Sequence, residues 1–263
     1  MTSGNSEAPG AGTAVETERG LVYGPDGKQL DLYRPAGAAG PLPTVLLWHG
    51  IGPDERDVLA PLARTAAARG LLVLVPDWRS DAADGGRSQL LASLAFTRKE
   101  AAGLGGDGES VVLAGWSAGA GAALGVALRP ELSDGWRPAA VAGIAGRYDL
   151  PARTTGTAPL ADLADLTEGR DPAVPVHLVH GSRDTIVAPS YSRDLADALR
   201  TAGRPVTLEE PATDHAGVIM TEYDPATDRC VPTGAGPAVA AGELVAGVLA
   251  AAGGDAHRSG HSS

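Results

Sequence analysis

The chain contains the stretch Val111-Val112-Leu113-Ala114-Gly115-Trp116-Ser117-Ala118-Gly119-Ala120, in which an apolar run meets a Gly-X-Ser-X-Gly pattern and continues into an Ala- and Gly-rich segment. The apolar run is typical of a buried strand, and the segment after it is typical of a helix. A serine on a sharp strand-to-helix turn needs small neighbours on both sides, and Gly115 and Gly119 provide them. Because a chain with 36 glycines also produces this pattern by chance, the prediction of an exposed Ser117 depends on the strand and the helix beside it.

The composition indicates one globular domain. A chain of 263 residues, of which 43% are hydrophobic, can bury one sizeable core. Its apolar runs are strand-sized and shorter than the ~20 residues that span a bilayer, so we expect no membrane association. The net charge of −11 opposes binding to nucleic acid. The single cysteine, Cys230, is interpreted as a bystander, and without a recognisable secretory signal a cytoplasmic location is expected.

Alternating segment types predict an α/β fold. Around the turn Gly24-Pro25-Asp26-Gly27, residues 15–22 and 30–33 are expected to form an antiparallel hairpin. Strands at 44–48, 71–75, 111–114, 141–145, 176–179 and 206–208 alternate with helices at 55–69, 88–102, 118–128, 190–202 and 239–251. This order predicts a mostly parallel central sheet of about eight strands, opened by the antiparallel N-terminal hairpin and covered by helices on both faces.

The domain boundaries follow from the same pattern. We expect one domain at 15–251, with disordered tails at 1–14 and 252–263 that are rich in small and polar residues. The connection at 146–174 has room for one short helix around 160–166. No large cap domain is therefore expected.

Three residues are candidates for a nucleophilic site. A serine hydroxyl is a weak nucleophile until a histidine accepts its proton, and that histidine needs an acid to orient it. Asp184 follows the strand at 176–179 and His215 follows the strand at 206–208, so both are expected at the carboxyl edge of the sheet with Ser117. The chain order serine, acid, histidine is the one expected with this type of turn. We predict Ser117 as nucleophile, His215 as general base and Asp184 as the orienting acid.

Other residues compete for these roles. Asp171 and Asp149 are the weaker candidates for the acid, and Asp149 also follows a strand. The other histidines are interpreted as a loop-shaping residue (His49), structural residues of a strand and its exit (His177 and His180) and members of the C-terminal tail (His257 and His261). No cluster has the spacing of metal ligands and no glycine loop has the phosphate-binding pattern, so neither metal nor cofactor is expected.

Acyl transfer also needs N–H donors where negative charge develops on the attacked carbonyl oxygen. One expected donor is the amide of Ala118, which follows the nucleophile at a helix N-terminus. The second is expected from the glycine-lined turn His49-Gly50-Ile51-Gly52, where both Ile51 and Gly52 are candidates.

Together these motifs resemble the α/β-hydrolase superfamily over roughly 15–251, and within it the carboxylesterase-like branch that includes bacterial esterases and kynurenine formamidase. The matching segments are Leu30-Asp31-Leu32-Tyr33-Arg34-Pro35, His49-Gly50, Gly115-Trp116-Ser117-Ala118-Gly119-Ala120, Tyr148-Asp149-Leu150, His180-Gly181-Ser182-Arg183-Asp184 and Asp214-His215. The His-Gly-Gly-Gly of many esterases is replaced by His49-Gly50-Ile51-Gly52.

The resemblance implies a serine hydrolase that acts through an acyl-enzyme intermediate. The short connection at 146–174 favours esters of small or medium acyl groups. An amidase, arylformamidase or peptidase with the same triad is one alternative, and a catalytically silent hydrolase-fold protein that binds a small ligand is another. A small-molecule ester or amide is the expected partner.

Overall fold

The structure is a computed structural model that describes residues 13–165 and 173–260. The strands are β1 (Val15–Val22), β2 (Gln29–Pro35), β3 (Leu42–Trp48), β4 (Leu72–Pro76), β5 (Gly106–Trp116), β6 (Ala140–Ile144), β7 (Val176–Val179), β8 (Val206–Glu209), β9 (Thr221–Asp224) and β10 (Arg229–Pro232). The helices are α1 (Ala60–Ala67), α2 (Arg87–Glu100), α3 (Ala118–Leu128), α4 (Pro159–Ala164), α5 (Ser190–Thr201) and α6 (Gly236–Gly260).

Eight strands form the central sheet in the order β1-β2-β4-β3-β5-β6-β7-β8. Strand β2 is antiparallel to both of its neighbours, β1 and β4, whereas β4, β3, β5, β6, β7 and β8 are mutually parallel. The carboxyl ends of β3, β5, β7 and β8 therefore lie at one edge of the sheet. The predicted fold class, including the antiparallel N-terminal hairpin, is confirmed.

Helices cover both faces of the sheet because its strands are apolar on both sides. One apolar cluster joins α2, α3 and α5 to side chains such as Leu46, Trp48 and Leu113. The other joins α1 and α6 to the alternate side chains of the same strands, including Val45 and Val112. The connection after β6, in its described parts, contains only the six-residue α4.

The C-terminus differs from the prediction. The last helix was expected to end at 251 and a disordered tail to begin at 252, yet α6 runs to Gly260. Its last turns are supported by tertiary contact, since Ala252 is buried and Gly253 lies against Leu71 and Pro43. His257 Nδ1 also lies 3.4 Å from Asp107 Oδ2. The expected tail residues 1–12 and 261–263 lie outside the described residues.

A second sheet was not predicted. Strands β9 and β10 form an antiparallel hairpin between β8 and α6, with Cys230 opposite Tyr223. Apart from the buried Thr221, their residues are half-buried or exposed, and most are polar, so the two strands lack the apolar run that marks the central strands.

Helix α6 is also long and apolar by sequence. Its segment Gly236–Arg258 contains an 18-residue window with a mean hydropathy of 1.5, enough by length and composition to cross a membrane, and 44% of that window is buried inside the protein. Val245, Ala246 and Leu249 on this helix pack into the second apolar cluster. The apolar side chains of α6 thus pack against the central sheet.

Candidate active site

Ser117 occupies the turn between β5 and α3. Its backbone has φ 55° and ψ −118°, a conformation that costs a non-glycine residue on the order of 1–3 kcal/mol. The turn is held by the Ser117 N–H, which donates to the carbonyl of Ile144 on β6 at 2.8 Å. Ser117 therefore lies between β5 and α3 and belongs to neither, and its side chain is partly exposed.

The two glycines of the motif are required by close packing. A Cβ on Gly115 would overlap the backbone of Gly119. A Cβ on Gly119 would lie 2.5 Å from the carbonyl oxygen of Trp48 and 2.6 Å from that of His49. Because α3 approaches the end of β3 this closely, the turn that carries Ser117 and the loop after Trp48 are fixed against each other.

Asp184 and His215, expected from their positions after β7 and β8, are in direct contact. His215 Nδ1 lies 2.6 Å from Asp184 Oδ2. The other carboxylate oxygen, Oδ1, accepts the backbone N–H groups of Ile186 at 2.9 Å and Val187 at 2.8 Å. With Nδ1 engaged by the carboxylate, the Nε2 of His215 is the nitrogen that can exchange a proton with another group.

The Asp184 carboxyl is strongly biased toward its ionised form. Burial raises the pKa of Asp184, but hydrogen bonds from His180, His215 and the Val187 amide outweigh burial and hold its pKa well below the usual range. An ionised Asp184 fixes the orientation of the His215 imidazole and is placed to stabilise a positive charge on that ring.

Trp116 links the loop that carries His215 to the turn that carries Ser117. Its indole Nε1 donates to the His215 carbonyl at 3.0 Å, and the two rings lie 5.0 Å apart with a 38° tilt. Since Trp116 directly precedes Ser117, this contact brings the loop after β8 to the strand that carries the serine. The structure thus gathers Ser117, Asp184 and His215 at the carboxyl edge of the sheet.

The loop after β3 is shaped by His49, as its sequence position suggested. The buried imidazole lies with Nδ1 3.0 Å from the Gly50 carbonyl, while Nε2 accepts the N–H groups of Glu55 at 3.3 Å and Trp78 at 3.2 Å. Burial lowers the pKa of His49 to about 4, so the ring is neutral in the pH range of most assays. One neutral side chain therefore holds the two ends of the loop together.

This loop passes directly by the serine. The position of a Cβ on Gly50 would be 3.5 Å from Ser117 Cβ, and the next residue, Ile51, is 58% exposed. The three candidate N–H donors for a developing oxyanion, on Ile51, Gly52 and Ala118, belong to this loop and to the first residue of α3.

His180 has a role that the sequence reasoning missed. It is fully buried, and its Nε2 lies 2.9 Å from the Val187 carbonyl and 3.2 Å from Asp184 Oδ2. Both neighbours are acceptors, so Nε2 carries a hydrogen. Nδ1 lies 2.7 Å from the hydroxyl of Ser192. Two histidines, His180 and His215, therefore share one carboxylate oxygen. The signal available in the sequence was that His180 and Asp184 both follow the end of β7 closely.

The competing candidates lie elsewhere. Both carboxylate oxygens of Asp149 are bonded to Arg147, at 2.8 and 3.0 Å, and Asp171 lies outside the described residues. His177 Nδ1 lies 3.0 Å from the Thr207 hydroxyl on the neighbouring strand. Within residues 13–165 and 173–260, no group of three or more His, Cys, Asp or Glu side chains is arranged to hold a metal ion.

A cavity of about 390 Å³ adjoins His215. It is lined by Thr185, Ile186, Asp214, His215, Ala216, Tyr223 and Cys230. The hairpin β9–β10 supplies the last two of these, which sequence reasoning did not connect with the site. Burial raises the pKa of the Cys230 thiol, which keeps the thiol protonated and agrees with its interpretation as a bystander.

The mixed eight-stranded sheet, the strained serine turn after β5 and the acid and histidine after β7 and β8 define the α/β-hydrolase fold. Comparison with solved structures agrees. The chain is similar to the inhibited esterase B from Lactobacillus rhamnosis, with a TM-score of 0.71 and 17% identity over 94% of this chain and 90% of that one. No protein-family model and no curated protein sequence matches the chain.

Two further solved structures share the fold. Carboxyl esterase 2 from Tuber melanosporum has a TM-score of 0.65 and 19% identity, covering 95% of this chain and 89% of that one. Esterase 2 from Thermogutta terrifontis, phosphorylated by paraoxon, has a TM-score of 0.61 and 22% identity, covering 76% and 84%. At these identities the likeness concerns the fold.

Proposed function

We propose that this protein is a serine hydrolase that cleaves carboxylic esters of small or medium acyl groups. The observation that carries the proposal is the 2.6 Å contact between His215 Nδ1 and Asp184 Oδ2, formed at the sheet edge where the strained turn presents Ser117. The esterase activities named for its structural neighbours support the same reaction class.

In the proposed reaction, Ser117 Oγ bonds to the ester carbonyl carbon while its proton passes to His215 Nε2. Asp184 stabilises the resulting imidazolium, and amides of Ala118 and the loop after β3 hold the oxyanion. The carbon–oxygen bond to the alcohol then breaks, and the alcohol leaves with the proton from His215. Water hydrolyses the acyl-enzyme with the same groups acting in reverse.

The proposed acyl preference follows from the short connection after β6. A six-residue helix, α4, in the described part of this connection provides little surface to enclose a long acyl chain. We therefore expect acetyl and butyryl p-nitrophenyl esters to be cleaved with higher kcat/KM than palmitoyl esters. A preference for the palmitoyl ester would contradict this part of the proposal.

The nucleophile is tested with organophosphorus reagents. One structural neighbour is described as phosphorylated by paraoxon, so paraoxon and a fluorophosphonate are suitable probes. We expect wild-type protein to acquire one covalent adduct on Ser117, located by peptide mass spectrometry, and Ser117→Ala to acquire none. Folded wild-type protein that neither reacts nor cleaves esters would instead support a silent ligand-binding role, and faster cleavage of matched anilides would support an amidase.

A further inference from the structure

We propose that the cavity beside His215 binds the alcohol portion of the ester, and that its wall, the hairpin β9–β10, selects neutral apolar alcohols such as benzyl or branched alkyl alcohols. This inference rests on the proposed function. It goes beyond that function by assigning a second substrate group to a particular cavity.

The position of the cavity follows from where the proton must go. His215 Nδ1 is bonded to Asp184, so Nε2 must deliver the proton to the leaving oxygen, at hydrogen-bond distance of about 3 Å. The group attached to that oxygen consequently begins next to His215. The cavity that His215 itself lines, about 390 Å³ in volume, is placed to receive it. Pockets for small ligands start at about 300 Å³.

The lining determines the class of alcohol. Ile186 and Tyr223 are 76% and 57% exposed, so both side chains offer accessible apolar surface to a group bound in the cavity. The seven lining residues include no Lys or Arg, and the carboxylate of Asp214 contributes negative charge. Its Oδ1 already accepts the Gly217 N–H at 2.8 Å. An uncharged apolar group fits this lining, whereas an anionic one is repelled.

The hairpin wall is held in place before any substrate binds. Tyr223 and Cys230 are direct cross-strand partners, and the Tyr223 hydroxyl donates to Asp228 Oδ1 at 2.6 Å. Arg229 Nη2 lies 2.8 Å from Asp57 Oδ1, which connects the hairpin to the turn that follows the loop after β3. Because these contacts are made within the protein and need no ligand, the wall is preorganised for selection.

The test separates the alcohol from the acyl group. We compare kcat/KM for benzyl acetate and ethyl acetate, which share an acyl group, and for ethyl acetate and ethyl butyrate, which share an alcohol. In Tyr223→Ala and Ile186→Ala we expect the benzyl-to-ethyl ratio to fall about tenfold, with the acetate-to-butyrate ratio unchanged. Tyr223→Phe, which keeps the ring, and Val22→Ala, an exposed apolar residue on β1, should retain the wild-type ratio.

A second readout uses the reverse direction. Benzyl alcohol added to the acetyl-enzyme competes with water, bonding to the acetyl carbon as Ser117 leaves and its own proton returns to Ser117 through His215. We expect wild-type protein to form benzyl acetate, and we expect the ratio of benzyl acetate formed to acetate released to be several-fold lower in Tyr223→Ala.

Each outcome bears on a different statement. An unchanged benzyl-to-ethyl ratio in Tyr223→Ala and Ile186→Ala would overturn the assignment of the cavity, whether or not the acetate-to-butyrate ratio changes. Equal transfer of the acetyl group to benzyl alcohol in wild-type protein and Tyr223→Ala would overturn it too. Neither result would affect the proposal of ester hydrolysis itself. If wild-type protein cleaves no ester and Ser117 takes no paraoxon, both proposals fail together.

Discussion

Lowering the pH should destabilise the protein through His49 in particular. The imidazole Nε2 accepts two backbone N–H groups, from Glu55 and Trp78, and Nδ1 faces the Gly50 carbonyl. A proton on Nε2 would replace both accepted hydrogen bonds with repulsion between donors. Protonation therefore disfavours the folded loop, in accord with the burial that lowers the pKa of His49 to about 4.

The size of the effect follows from linkage. In the unfolded chain His49 titrates near its ordinary pKa of 6.5, so between about pH 6.5 and 4 the unfolded state binds a proton that the folded state does not. The stability contributed by His49 is complete above pH 6.5 and falls by about 1.4 kcal/mol for each pH unit below it. Between pH 7.5 and 4.5 the expected loss is about 2.5 kcal/mol, and below pH 4 the contribution levels off.

Urea unfolding at pH 7.5, 6.5, 5.5 and 4.5 measures this loss. The matched variant is His49→Gln, whose amide oxygen can accept the same N–H groups but does not titrate. Carboxylates and the other histidines titrate in both proteins, so the difference between the two pH curves isolates His49. Between pH 7.5 and 4.5 we expect the free energy of unfolding of wild-type protein to fall by about 2.5 kcal/mol more than that of His49→Gln. Parallel curves would refute the reasoning.

Three further predictions concern the site. Ser117→Gly should abolish ester hydrolysis but should have a free energy of unfolding about 1 kcal/mol higher than that of Ser117→Ala, because glycine adopts the positive φ without strain. Equal free energies of unfolding for the two variants would argue against a strained turn. Gly119→Ala should lower the free energy of unfolding, measured with denaturant, by about 1–3 kcal/mol, because the new Cβ meets two carbonyl oxygens. The control Gly103→Ala places its Cβ in open space and should change this free energy by less than about 0.5 kcal/mol. Asp184→Asn should lower kcat/KM for p-nitrophenyl acetate by about 10⁴-fold, and a loss below tenfold would exclude Asp184 as the orienting acid.

Much of the fold could be predicted from the sequence because its strands and helices carry local signals. Strand β7 and helix α3 have the predicted bounds, 176–179 and 118–128, because an apolar run defines the strand and Pro130 follows the helix. Helix α6 was harder, because Gly253-Gly254 is typical of a helix end. Packing of Ala252 and Gly253 against the sheet outweighs that local preference, and such packing is visible only in three dimensions.

The site was predictable where topology alone positions a residue. Parallel strands bring every loop after a carboxyl end to one edge, so Ser117, Asp184 and His215 could be placed together without knowing any side-chain contact. The bond between His180 and Asp184 depends on the turn after β7 folding back on itself. The cavity wall depends on Tyr223 in a largely polar hairpin, for which no periodic pattern gives a signal.

The loops of the site come from distant parts of the chain, and this has a consequence for folding. The contact of Asp184 with His215 joins residues 31 apart in sequence, and that of Trp116 with His215 joins residues 99 apart. Contacts with such separations form late, because long loops must close first. During synthesis, a chain that extends past Asp184 but has not reached β8 contains Ser117 and Asp184 and still lacks His215. Recovery of activity after dilution from denaturant should therefore report the last step of assembly, the docking of β8 and its loop, and should lag behind the return of helical signal.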